Sequence, residues 1–275
     1  MAGKKGNTGA LVGLLLLGAL AWWAFKPGPA GPGQVPVVVA VPTVVPTMPA
    51  TPEPAPLGRL AICIDDWGYQ GRPVERLKGF KFQLTTAILP GLPHSVAAAE
   101  ASFAGGHEVI LHCPMQAVGS IAREKGTLLK GMSADRATAL LEKQWAEVPH
   151  LTGLNNHEGS AGSTDRALMD AVAAFLKGKH AFFLDSVTSA QSVIPQAAKA
   201  AGIPWAKRRV FLDNVDKPEA VEAQLRQAAA IALKSGSCIA IGHPRQATLD
   251  VLERLVPELE AQGLALVKVS DLVHP

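Results

Sequence analysis

Two aspartates side by side, Asp65 and Asp66, end an apolar run in RLAICIDDWGYQ, residues 59–70. Neighbouring carboxylates repel each other and resist desolvation, so a chain that closes a buried-looking stretch on them has to supply a compensating charge. Polar groups able to do so recur at the ends of other apolar runs: His94 after ILPGLP, His112 after EVIL, Asn155, Asn156 and His157 after LTGL, Asp185 after FFL, Asp213 with Asn214 after RRVFL, and His243 after IAIG. Carboxylate oxygen and imidazole nitrogen together suit a divalent cation such as zinc. Adjacent side chains of an extended strand point to opposite faces, so Asp65 and Asp66 are expected to divide the work, one holding the metal and the other accepting a proton from the attacking water.

Each signal has a plainer explanation taken alone. An Asp pair after a strand can cap a helix, a single His can be a satisfied polar residue, Asn155 and Asn156 can form a turn, and Asp213 can cap the segment leading to Pro218. The case rests on shared position. From Arg59 onward short β-like runs (LAICIDD, LTTAILP, HEVILHC, LTGLNN, HAFFLDS, PWAKRRVF, SCIAIGH, LALVKVS) alternate with amphipathic helical patterns. Helix ends are readable: Ser95, Ser133 and Ser163 or Thr164 as starts, Gly178 near a stop, Pro218 in a first turn, and Pro257 as an expected break or kink. Repeated strand–helix units imply parallel strands with helices outside, either a closed (β/α) barrel or an open doubly wound sheet. The chemistry-bearing residues fall at the C-terminal strand ends, the rim where such folds bind ligands, whereas His107 and His180 fall at strand starts and read as structural or solvated. No GxGxxG follows the first strand, which argues against a dinucleotide fold.

The preceding segments concern location. Residues 1–25 place Lys4 and Lys5 before the apolar run ALVGLLLLGALAWWAF, which ends on Trp22, Trp23 and Phe25; this predicts an uncleaved signal anchor, with a cleaved signal peptide as the alternative, and everything downstream exported. Residues 26–58 are about one-third proline and predict a semi-rigid spacer. The remainder, 59–275, is then a domain held on the outer side of an inner membrane. With 48% hydrophobic and 18% charged residues, the 275-residue chain is not disordered, and a net charge of +3 gives no basic field for nucleic acid. Cys63, Cys113 and Cys238 are too few and scattered for a disulfide framework. Cys63 and Cys238 read as core.

In order along the chain, CIDDWGY, AILPGLPHS, GHEVILHCPMQ, GLNNHEGS, FFLDSVT, RRVFLDN and AIGHP resemble the divergent branch of the polysaccharide deacetylase family from about Leu60 to Val273. The resemblance implies a distorted (β/α) barrel and metal-dependent removal of an N- or O-acetyl group from a sugar, which for an exported domain is expected to be a cell-envelope glycan. It implies Asp65 as catalytic base, Asp66 and His112 as metal ligands, and His243 as general acid toward the leaving group. The family's usual second histidine, four residues after His112, is replaced by Gln116. A neutral amide is a poorer zinc ligand than imidazole, so either another residue completes the site, His157 or else His94, or metal binds weakly or not at all. Trp67, Tyr69, His94, Asn155, Asn156 and Asp185 are expected around the sugar, Asp185 alternatively orienting a histidine. Two further readings stay open: a barrel that binds glycan or an envelope protein partner without turnover, and a hydrolase for a non-sugar amide or ester.

Overall fold

The structure, a computed structural model of the chain, describes residues 55–69, 73–119 and 124–275. The expected anchor over 1–25 and all but the end of the expected spacer over 26–58 lie outside the described residues. Gly58, the last spacer position, already opens the first strand. No helix among the described residues is long and apolar enough to cross a membrane.

The alternation read from the sequence is realised as β1 (Gly58–Trp67), α1 (Val74–Leu77), β2 (Thr85–Ile88), α2 (Ser95–Ala104), β3 (Glu108–Met115), α3 (Ala134–Glu147), β4 (Leu151–Glu158), α4 (Arg166–Lys179), β5 (Phe182–Asp185) and α5 (Ile194–Ala201). Then follow β6 (Trp205–Lys207), β7 (Val210–Phe211), α6 (Pro218–Ser235), β8 (Ser237–Gly242), α7 (Gln246–Ala261) and β9 (Leu264–Val267). Every ladder between these strands is parallel, in the order β6-β5-β4-β3-β2-β1-β8-β7. The two ends of that order are one bent segment, the expected strand PWAKRRVF: β6 pairs with β5 and β7 with β8. Between them Arg208 N–H donates to Asp185 O at 3.0 Å, and Arg209 N–H donates to Ile239 O at 2.9 Å. The sheet therefore closes on itself through a kinked strand, a distorted (β/α) barrel rather than an open sheet. β9 pairs with the start of β1, below the stretch that pairs with β2.

Local chemistry sets the helix ends. Pro218 stands in the first turn of α6, and Gly202 and Gly236 end α5 and α6 in the left-handed conformation. The cap of α4 is Asp165, not Ser163 or Thr164: its carboxylate accepts from Leu168 N–H at 3.3 Å and from Gly131 N–H at 2.7 Å. Pro257 does not end α7, which runs through it.

Two apolar layers follow from the period-2 alternation of the strands. Outward residues such as Leu60, Ile62, Ile64, Val109, Leu111 and Leu154 pack with the helices, while Ala61, Cys63, Ile110, Phe182, Leu184 and Ile241 fill the barrel interior. Gly153 belongs to the interior phase of β4, and a Cβ there would lie 2.6 Å from the Phe182 ring, so its missing side chain is the space the ring occupies. The C-terminal 3-10 turn Val269–Leu272 plugs the floor. Its Val269 N–H donates to Thr85 Oγ1 and its Ser270 N–H to Glu108 Oε2, which satisfies a buried carboxylate at the foot of β3. His107 is buried there too, against Leu77 O, and His180 ends α4. All three cysteines are free and buried.

Candidate active site

Following the interior phase upward along each strand leads to the functional rim. Ala61 and Cys63 precede Asp65 on β1; Ile110 precedes His112 on β3; Gly153 precedes Asn155 and His157 on β4; Ile239 and Ile241 precede His243 after β8. Parallel register places His112 beside Asn155 and Pro114 beside His157. Asp66 is out of phase and would face the helices if β1 stayed regular. It does not stay regular: the β1–β2 register shifts between Ile64 and Trp67, and Asp66 adopts φ 61°. This left-handed turn, costly for a non-glycine residue, swings the second carboxylate back to the rim. The expectation that the two aspartates face opposite sides is corrected here, because both reach His112.

The geometry around Asp66 is that of converging lone pairs. Its Oδ1 lies 3.1 Å from His112 Nε2 and 3.0 Å from His157 Nδ1, and those two nitrogens are 3.1 Å apart. Asn155 settles the His112 tautomer: its Nδ2 donates to Asp65 Oδ1 at 2.9 Å and to Ser186 Oγ at 3.2 Å, so its Oδ1 accepts His112 Nδ1–H at 2.7 Å. His112 Nε2 thus turns a lone pair toward Asp66. Asp66 Oδ1 is buried without a hydrogen-bond partner, which a cation seated among these atoms would relieve. Without one, the cluster recruits a proton. Burial works against a charged His112, but Asp65 and Asp66 outweigh it and push the ring up to about 9. Burial likewise opposes the Asp66 charge, and the close His112 and His157 rings reverse that, holding its carboxyl well below the usual range. Among the described residues, Asp66, His112 and His157 form a group of ligand type whose donor atoms lie within 4.8 Å of one another.

Asp65 sits beside this group, 4% exposed, with Oδ2 3.8 Å from His112 Nε2. Its Oδ1 accepts from Asn155 and from the Cys63 thiol at 3.3 Å. Burial raises its pKa, Asp66 adding to the effect while His112, His243 and Asn155 oppose it. Across the rim, His243 Nε2 is 3.7 Å from Asp66 Oδ2. Its Nδ1–H donates to Asp213 Oδ1 at 2.9 Å, and Asp213 Oδ2 accepts from His243 N–H at 2.7 Å and Thr248 Oγ1–H at 2.8 Å. Burial disfavours the charged ring, but the Asp213 bond and the charges of Asp213, Asp66 and Asp65 raise His243 above its ordinary value.

Several expected substrate contacts are otherwise employed. Trp67 is 1% exposed and presents no face to a sugar. Asn155 is fully buried between His112 and Asp65. Asn156 spends its amide on Ser186 N–H, Glu158 O and Thr188 Oγ1. Asp185 accepts Val187 N–H at 2.8 Å and, with Arg208 donating to Ser186 O and Val187 O, clamps a loop in which Val187 takes φ 53°; the histidine-orienting role falls to Asp213. His94 caps α2 through its backbone and is not part of the Asp66 cluster. Gln116 Oε1 accepts Lys130 N–H at 2.9 Å, so this side chain anchors a loop. Tyr69, 48% exposed, lines both a cleft of about 170 Å³ that includes Asp66 and His243 and a neighbouring cleft of about 770 Å³. One contact to the cluster carries no readable signal: Glu124, whose Oε1 is 3.6 Å from His157 Nε2.

Comparison with known proteins bears on the family and the fold. Residues 62–273 match the family model described as divergent polysaccharide deacetylase. The uncharacterized protein YibQ of Escherichia coli is 35% identical over 225 residues, which span 82% of this chain and 70% of YibQ. An uncharacterized protein of Agrobacterium tumefaciens superposes with a TM-score of 0.75 at 22% identity, covering 80% of this chain and 91% of its own. A family 4 carbohydrate esterase pseudoenzyme from Bacillus anthracis shares the fold at a TM-score of 0.50 and 15% identity, over 78% of this chain and 65% of its own.

Proposed function

Since the chain belongs to the divergent polysaccharide deacetylase family, we propose that it is a metal-dependent hydrolase that removes acetyl groups from a cell-envelope polysaccharide, held at the inner membrane by residues 1–25 with its barrel on the outer side. The observation that carries this reading is the convergence of Asp66 Oδ1, His112 Nε2 and His157 Nδ1 at 3.0–3.1 Å, flanked by Asp65 and His243. The donor set, two imidazoles and one carboxylate, suits zinc.

A bound divalent ion supplies Lewis acidity toward an acyl oxygen and toward water. The side chains account for the remaining chemistry. Asp65, buried and with its pKa raised, is a base able to take the proton of an attacking water. Asn155 holds that carboxylate and fixes the His112 tautomer, so both are aimed before substrate arrives. His243, kept protonated toward higher pH by Asp213, gives its Nε2 proton to the departing amine or alcohol. The exposed Tyr69 ring borders the cleft on Asp66 and His243 and offers a face for a pyranose.

Gln116 favours a second reading, a barrel that binds glycan or an envelope partner without turnover, because the usual second histidine is missing. The test separates the two. The full chain, loaded with zinc, cobalt or nickel, is assayed for acetate release from N-acetylglucosamine oligomers and for metal content, beside Asp66→Ala. Stoichiometric metal and acetate release, both lost in the variant, support hydrolysis. Glycan affinity indifferent to metal, with no acetate released by folded protein, overturns it in favour of binding.

A further inference from the structure

Glu124 lies on the segment between β3 and α3, outside every strand, yet its side chain is only 12% exposed and turned toward the site. Its Oε1 accepts a hydrogen bond from Tyr69 Oη at 2.6 Å and stands 3.6 Å from His157 Nε2. The second distance is that of an ion pair rather than a formed hydrogen bond. What it faces is decisive. His157 turns Nδ1 toward Asp66 and His112, so a neutral ring serving as a ligand through Nδ1 must carry its proton on Nε2. That ring is 15% exposed, and a largely buried N–H needs an acceptor. Among the described residues, Glu124 is the carboxylate that approaches Nε2.

The substitution at Gln116 explains why such a helper is required. The ligand drawn from β4 arrives with Nδ1 aimed inward, 3.0 Å from Asp66 Oδ1. Nothing on β4 itself accepts the outward Nε2–H.

We propose that Glu124 is a positioning residue for the metal ligand His157: it accepts the Nε2 proton, selects the tautomer whose Nδ1 lone pair faces Asp66, and is itself held by the Tyr69 hydroxyl. The inference rests on the metal reading of this site, and two separate readouts keep the two apart. The first is the tautomer. In the metal-free full chain, labelled with 15N-histidine and assigned with His157→Gln, the neutral His157 ring carries its proton on Nε2, and Glu124→Ala shifts it toward Nδ1. The second is zinc affinity by chelator competition. Removing a partner of this kind costs about 10- to 100-fold in metal affinity; Glu124→Ala shows that loss, Glu124→Gln, which keeps an acceptor oxygen, recovers most of it, and Tyr69→Phe falls between.

A wild-type His157 ring protonated on Nδ1, or a Glu124→Ala variant that binds zinc as tightly as the wild type, overturns the proposal. If the wild type binds no zinc, the metal reading fails and the tautomer measurement still decides the role of Glu124. Should Glu124→Ala fold poorly, Tyr69→Phe, altered at a half-exposed ring, provides both readouts.

Discussion

Asp213→Asn removes the charge behind His243, and one of its two acceptor oxygens, at almost unchanged side-chain volume. Asp213 is fully buried and accepts from His243 Nδ1–H at 2.9 Å, His243 N–H at 2.7 Å and Thr248 Oγ1–H at 2.8 Å. Asparagine retains one acceptor oxygen but loses the negative charge that helps keep His243 protonated. A hydrogen bond to a charged group contributes about 1.5–3 kcal/mol, and about 1.4 kcal/mol is tenfold in rate. If that interaction acts on the general acid, deacetylation should fall by about 10- to 100-fold. The pH profile gives the sharper test. A general acid works only while protonated, so wild-type activity declines as pH rises through the His243 pKa, which stands above 6.5. In the variant this alkaline limb should move to lower pH, and the His243 ring, followed by NMR, should titrate lower as well. Stability obeys the same linkage: a raised histidine contributes fully below its unfolded pKa and loses that contribution as pH rises through its folded one. The variant should therefore lose part of the wild type's stability below pH 6.5 and show a flatter decline above it. An alkaline limb unchanged in position, with His243 titrating where it does in the wild type, refutes the assigned pairing.

Zinc at about 100 times its Kd should stabilise the full chain by about 2.7 kcal/mol, seen as a higher Tm that Asp66→Asn abolishes. Gln116→His should not tighten zinc binding, because this side chain is turned to Lys130 N–H at 2.9 Å; chelator competition should read no gain, while loss of that bond costs about 1 kcal/mol in a denaturant titration. Gly153→Ala forces a Cβ to 2.6 Å from the Phe182 ring and should destabilise by about 1–3 kcal/mol, with Phe182→Leu in the same chain recovering part of the loss.

What the sequence reveals about this barrel, and what it hides, follows from two kinds of physical constraint. Strand alternation is local and periodic: once LAICID, EVILH and LTGLNNH are read with period 2, the interior phase of each leads to Asp65, His112 and His157 without knowledge of the fold. The same regularity misleads at Asp66, since a residue of the outer phase reaches the rim only where the strand breaks its own rule, and a left-handed aspartate leaves no pattern in composition. Asn155, Asn156 and Asp185 look like ligands for a sugar because their chemistry suits one. Their partners, Asp65 and His112 for the first and the Ser186–Val187 backbone for the others, are brought near only by strand pairing and loop packing. Asp213 and Asp185 stand at equivalent strand ends in the sequence, yet the kink at Arg208 and Arg209 hands the first segment to β5 and the second to β8, so that only Asp213 meets His243. Glu124 is the extreme case: its loop has no periodicity to read, and only packing brings its Oε1 to 3.6 Å from His157 Nε2. The rim is thus legible wherever regular backbone delivers the side chain, and becomes illegible where function depends on a bulge, a kink or a loop.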